Sequence, residues 1–209
     1  MTNLLFFTLF VFQFLNFIDN PIDVLQNKDK VIIDCSYSFD EATSGINIPK
    51  LILKNLVLID VEYFSFDNNP PRGEIIVNKS VAQEIKEIFK FIKKSKFPLG
   101  KVIPIVKYNW SDEASMNDNN TSAFNYRNVR GQKILSAHSY GLAIDINPLQ
   151  NPHLKGEKII SSKDYYNKKE PGTILRDSQL VKEFQKRGWQ WGGFWSSSKD
   201  YQHFEKNKI

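Results

Sequence analysis

Two periods of apolar and polar residues run along this chain, and the switch between them marks its elements. From Leu142 to Asn147, Leu142, Ile144 and Ile146 alternate with Ala143, Asp145 and Asn147, the two-residue repeat of a strand with one apolar face. Asp145 is thereby aimed away from the hydrophobic side. From Asn78 to Lys94 the apolar positions Val81, Ile85, Ile88, Phe89 and Ile92 recur three and four residues apart with glutamates and lysines between them, which predicts an amphipathic helix capped by Asn78 or Ser80. Apolar runs over Leu51 to Phe66 and Val102 to Lys107 predict strands. Polar and turn-forming residues over Asp67 to Gly73, Pro98 to Gly100 and Ser111 to Thr121 predict loops. A short helix opening at Asp177 or Ser178 carries Leu180, Val181 and Phe184 and stops at Gly188. Trp189 and Trp191 then recur at period two in a closing strand, with core packing expected for at least one face.

Leu4 to Ile18 follows neither period: it is phenylalanine-rich and broken only by Thr8, Gln13 and Asn16. Such a run is short of the ~20 residues that span a bilayer and fits the core of a signal peptide. Met1-Thr2-Asn3 supplies no lysine or arginine, and no small-x-small cleavage site lies near Asp19, so an uncleaved membrane anchor is the alternative. The expected organisation is a hydrophobic segment over 1–20, an extension over 21–50 and a single domain over 51–209, exported to the periplasm or cell envelope and monomeric.

A chain of 209 residues, 41% of them hydrophobic, can bury one full core. Its 28 basic and 23 acidic residues leave a net charge of +5, and the lysines are dispersed, which solubility alone explains. No basic and aromatic recognition motif is present, so nucleic acid is not an expected partner. Cys35 is the sole cysteine, which excludes an intramolecular disulfide and a thiolate metal cluster. It reads as an inert thiol at a strand end.

The chemistry concentrates in two pieces. His138 lies seven residues before Asp145, across a Ser139-Tyr140-Gly141 turn that lets imidazole and carboxylate converge. Those two groups are two thirds of a catalytic zinc site, which takes three protein ligands and keeps the fourth position for water. His203, near the C-terminus, is the natural third. His153, on a turn-rich stretch, reads as a solvated side chain.

Ser136-x-His138-x-x-Gly141-x-Ala143-x-Asp145 followed by Asp200-x-x-His203 resembles the two-part motif of the zinc D-Ala-D-Ala carboxypeptidase and L-alanyl-D-glutamate endopeptidase family, bacterial cell-wall peptidases that share a fold with the hedgehog signalling domain. The blocks Ala123 to Arg127 and Gly188 to Trp195 extend the likeness over roughly residues 56 to 205. The resemblance implies one α+β domain, a small, mainly antiparallel sheet with helices packed on one side. It also implies Zn2+ on His138, Asp145 and His203, Asp200 as general base, and peptidoglycan stem peptides as substrate. Arg127, with Arg130 as its rival, would bind substrate and steady the oxyanion. Ser136 and Asn147 would support the ligands, and Ser136, Tyr140, Gln202 and Trp191 would lie near the substrate. An aspartate at position 200 resembles the endopeptidase branch. The alternative function is a zinc-containing binding module, as the hedgehog domain illustrates.

Overall fold

The computed structural model describes residues 32–69, 71–155, 158–161 and 166–207. Two short helices open this part of the chain. The first, α1 (Phe39–Ala42), starts with a reciprocal Ser38–Glu41 capping box, and the second, α2 (Lys50–Leu53), starts after Pro49. Proline suits a helix start, where the missing N–H has no intrahelical partner to lose. The predicted strand over Leu51 to Phe66 is accordingly corrected at its front: it begins only at Leu56.

Three strands follow, β1 (Leu56–Glu62), β2 (Phe64–Ser65) and β3 (Arg72–Asn78). β1 and β3 form an antiparallel hairpin in register from Leu56 opposite Asn78 to Glu62 opposite Arg72. Ile59, Val61, Ile75 and Val77 share a core with Ile85, Ile88, Phe89 and Ile92 of α3 (Ala82–Ser95). Leu56 and Ile76 instead join Ala42, Ile48, Ile52 and Phe124 in a second cluster. The hairpin is thus covered on both faces. Helix α3 is the expected amphipathic one, entered through a 3-10 turn over Lys79–Val81 that the Asn78 side chain caps by accepting from Ser80 N.

β4 (Pro98–Leu99) pairs in parallel with β2, and β5 (Lys101–Val102) with β6 (Asn120–Thr121). The strand expected over Val102 to Lys107 stops after Val102, because Pro104 supplies no ladder N–H and a 3-10 turn over Ile105–Tyr108 follows. The stretch Ser111 to Thr121, expected as loop, contains α4 (Asp112–Asn117), capped by Ser111 Oγ on Ala114 N at 3.2 Å.

Two small antiparallel sheets then carry the chemistry. One has the order β10 (Gln190–Trp191), β12 (His203–Glu205), β7 (Ala143–Asp145); the other has the order β11 (Lys199–Asp200), β8 (His153–Lys155), β9 (Lys158–Ser161). Helix α5 (Gln179–Gln185), capped by Ser178, packs behind the first sheet, with Phe184 stacked on Phe204 at 3.9 Å. Helices and small, mostly antiparallel sheets make this an α+β fold. Among the described residues no helix is long and apolar enough to cross a membrane. Leu4 to Ile18 lies outside them.

Candidate metal centre

His138 sits in a 3-10 turn over Ala137–Tyr140 whose N-cap is Ser136, with Ser136 Oγ accepting from His138 N at 3.3 Å. Gly141 ends the turn at φ +64°, and a Cβ there would lie 2.5 Å from Asn78 N. Only glycine lets this turn close against the end of β3. Asn78 bonds it twice, its backbone N donating to Gly141 O and its Nδ2 to Tyr140 O, each at 2.9 Å.

Asp145 ends β7, and His203 opens β12 directly opposite it. Period two does the rest: Ile144, Ile146 and Phe204 are fully buried in the core, so Asp145, His203 and Glu205 share the other face. His138 Nε2 lies 3.1 Å from Asp145 Oδ2, His203 Nδ1 lies 2.9 Å from Asp145 Oδ1, and the two imidazole nitrogens are 3.2 Å apart.

The outer ring nitrogens decide what these inner atoms are. His138 Nδ1–H donates to Ala123 O at 2.5 Å, and His203 Nε2–H donates to the Glu205 carboxylate at 3.2 Å. Each neutral imidazole therefore turns a lone pair inward. Two nitrogen lone pairs and a carboxylate converging in a buried site repel unless a cation lies among them. These three ligand atoms all fall within 4.8 Å of one another, and an N,N,O set with its outer N–H groups satisfied suits a first-row ion such as zinc. Without a metal a proton fills the need. Burial alone would lower the His203 pKa, but bonds to Asp145 and Glu205 push it up to about 10. Burial alone would likewise raise Asp145, yet the charge and hydrogen bonds of His138 and His203 hold its carboxyl well below the usual range.

Glu205 was not among the residues expected at the site. Its alternation with His203 along β12 was the available signal. Replacing Glu205 with alanine frees the His203 ring, and zinc affinity is expected to fall ~10–100-fold, as read by competition with a chromogenic chelator.

Asp200 reaches the site region from the neighbouring sheet. It is 8% exposed, and its pKa is raised, first by burial and then by the negative charge of Asp145. Gly192 makes its position possible: a Cβ there would lie 2.6 Å from the Asp200 carbonyl oxygen and 3.0 Å from Asp200 Cβ. Because the nearest obstacle is backbone, Gly192→Ala is expected to displace β11, costing ~1–3 kcal/mol and most of the activity. A thermal melt read alongside kcat checks this.

The other expected site residues fall in two groups. Ser136 caps the His138 turn, as described, and Arg127 is tied to the same turn through its backbone: Ser139 Oγ accepts from Arg127 N at 2.9 Å and donates to Arg127 O at 2.6 Å. The Arg127 guanidinium pairs through Nε with Asp112 of α4. Tyr140, half-buried, packs against both core clusters. By contrast, Trp191 is 2% exposed, with its indole N–H spent on Tyr201 O at 2.8 Å, and Gln202 is 3% exposed. Trp191 is therefore a core residue, and the aromatic beside the ligands is half-buried Trp195, its ring 5.3 Å from that of His203. Asn147, expected to support the ligands, sits at φ +46° and clamps loops instead, donating to Pro98 O and Gly172 O and accepting from Gly100 N. The thiol of Cys35 is pushed up to about 12 by burial and by Glu74, so it stays protonated and inert.

Residues 130–206 match the model of a family described as D-alanyl-D-alanine carboxypeptidase. The matched segment contains His138, Asp145, Asp200 and His203 and begins three residues after Arg127. Comparison with curated proteins and with solved structures gave no match.

Proposed function

We propose, from a segment that matches the model of the D-alanyl-D-alanine carboxypeptidase family, that this chain is a zinc peptidase cleaving the stem peptides of bacterial peptidoglycan. The observation that carries the reading is the convergence of two imidazole lone pairs and a carboxylate on one buried point, with a second buried carboxylate in the adjoining sheet. Zinc held by His138, Asp145 and His203 would supply Lewis acidity for the peptide carbonyl and for the water that attacks it.

The chain's own groups supply the rest. Asp200 takes a proton from the attacking water and delivers it to the departing amine, and its raised pKa brings it nearer the neutral range where such a base is effective. Arg127, anchored through Nε by Asp112, offers its outer nitrogens to a substrate carboxylate or oxyanion. Ala123 O and Glu205 hold the two imidazoles in orientation, and Ser136 caps the turn that carries His138. Trp195, beside His203, walls the cleft in the place expected of Trp191. The hedgehog-like fold, export through the Leu4 to Ile18 segment, any membrane association of that segment and a monomeric state belong to the same proposal. Aspartate at position 200 favours the endopeptidase branch over terminal D-alanine removal.

The test is mass spectrometry of defined stem peptides incubated with the full chain, with zinc and with chelator. Zinc-dependent release of L-alanine from the D-glutamate end establishes the endopeptidase, and loss of terminal D-alanine the carboxypeptidase. Equimolar zinc binding with every peptide intact would replace the enzyme with the binding module.

A further inference from the structure

The base proposed above has two oxygens, and the structure treats them differently. β11 pairs with β8 so that Asp200 stands directly opposite His153. Across that rung His153 Nδ1 lies 3.4 Å from Asp200 Oδ2. Asp200 Oδ1, also buried, has no hydrogen-bond partner among the described residues. An unsatisfied buried carboxylate oxygen is costly, and in a working site such an atom is reserved for a ligand or a proton in transit.

The strand under it is held on both sides. Tyr201 N donates to Pro152 O at 3.2 Å, extending the β8 ladder, and Gly192 presses on the Asp200 backbone from the other side. With the backbone held, the side-chain torsions of Asp200 are left to its own contacts. An N–H on Oδ2 restrains them and settles which oxygen stays basic.

We infer that His153 is the positioning residue for Asp200, its Nδ1–H holding Oδ2 so that Oδ1 alone exchanges the proton. This rests on the peptidase reading of the site. The balance is simple: the water's proton goes to Oδ1 as its oxygen bonds to the carbonyl carbon, then passes from Oδ1 to the amine nitrogen as the C–N bond breaks, while His153 keeps its own proton.

The experiment compares His153→Ala and His153→Asn in the full chain. Asparagine places its Nδ2 where the imidazole Nδ1 stands. On a cleaved stem peptide, alanine is expected to lower kcat ~10–100-fold, a fraction of what a general base contributes, with KM within about twofold, equimolar zinc and an unchanged melting temperature. Asparagine is expected to restore kcat to within a few-fold. Wild-type kcat in the alanine variant, or equal loss in both variants, overturns the inference. Imidazole 15N spectra of the zinc-loaded wild type give a reading independent of turnover: a proton on His153 Nδ1 that shifts in Asp200→Ala supports it, and an unprotonated Nδ1 overturns it. Failure of the wild type to cut any stem peptide counts against the peptidase reading, and the 15N result still decides the His153 contact.

Discussion

Asp200→Asn is expected to lower kcat on a cleaved stem peptide by ~10²–10⁴-fold, the range that a positioned general base supplies. Asparagine keeps the volume against Gly192 and still offers an oxygen to His153. What it cannot do is take up the water's proton. Since Asp200 lies outside the His138, Asp145 and His203 set, zinc is expected to remain equimolar. Steady-state kinetics alongside metal analysis check both halves: loss of zinc would reassign Asp200 to metal holding, and full activity would remove it as the base.

Chelation is expected to abolish hydrolysis and to lower the melting temperature. Zinc present at about a thousand times its Kd stabilises the fold by ~4 kcal/mol, or roughly 8–16 °C for a chain of this size. The loss is pH-dependent in a definite sense. His203 has its folded pKa raised from an ordinary 6.5 to about 10, so in the metal-free protein its contribution is fully present below pH ~6.5 and is lost as pH rises through about 10. Asp145, shifted downward by the same contact, loses its share only in strong acid. At pH 8 the metal-free site therefore carries a proton that zinc must expel. Calorimetry in buffers of different ionisation enthalpy should show about one proton released per zinc bound. Zinc binding with no proton release would mean that the metal does not displace the His203 proton.

The strand through Asp145 was legible in the sequence because Leu142, Ile144 and Ile146 bury fully on one side of it, and the helix over Ala82–Ser95 because Ile85, Ile88, Phe89 and Ile92 do the same. The convergence of His138, Asp145 and His203 was legible because these residues lie in two short motifs, each local. His153 was not, since its meaning depends on a rung between β8 and β11, strands that the sequence does not show to be partners. Trp191, expected near the substrate, shares the buried period-two face with Trp189, and the faces change only beyond it, where Gly192–Phe194 form a 3-10 turn. The helix Asp112–Asn117 escaped because only polar and small residues, with one methionine, make it, so it lacks the apolar stripe that periodicity detects. The strand expected over Val102 to Lys107 is cut short by Pro104, which has no N–H to give a ladder and leads into the 3-10 turn after it.

β12 alternates His203 and Glu205 on one side with fully buried Phe204 on the other. Its three positions consequently define two orthogonal axes for a mutational library. Substitutions at 203 and 205 explore ion preference and ligand field while Phe204 continues to stack on Phe184, whereas substitutions at 204 vary how cooperatively the domain melts while leaving the donor atoms unchanged in kind. Adjacent codons thus address chemistry and cohesion separately, so an altered metal specificity can be sought in this strand without first rebuilding the interior beneath it.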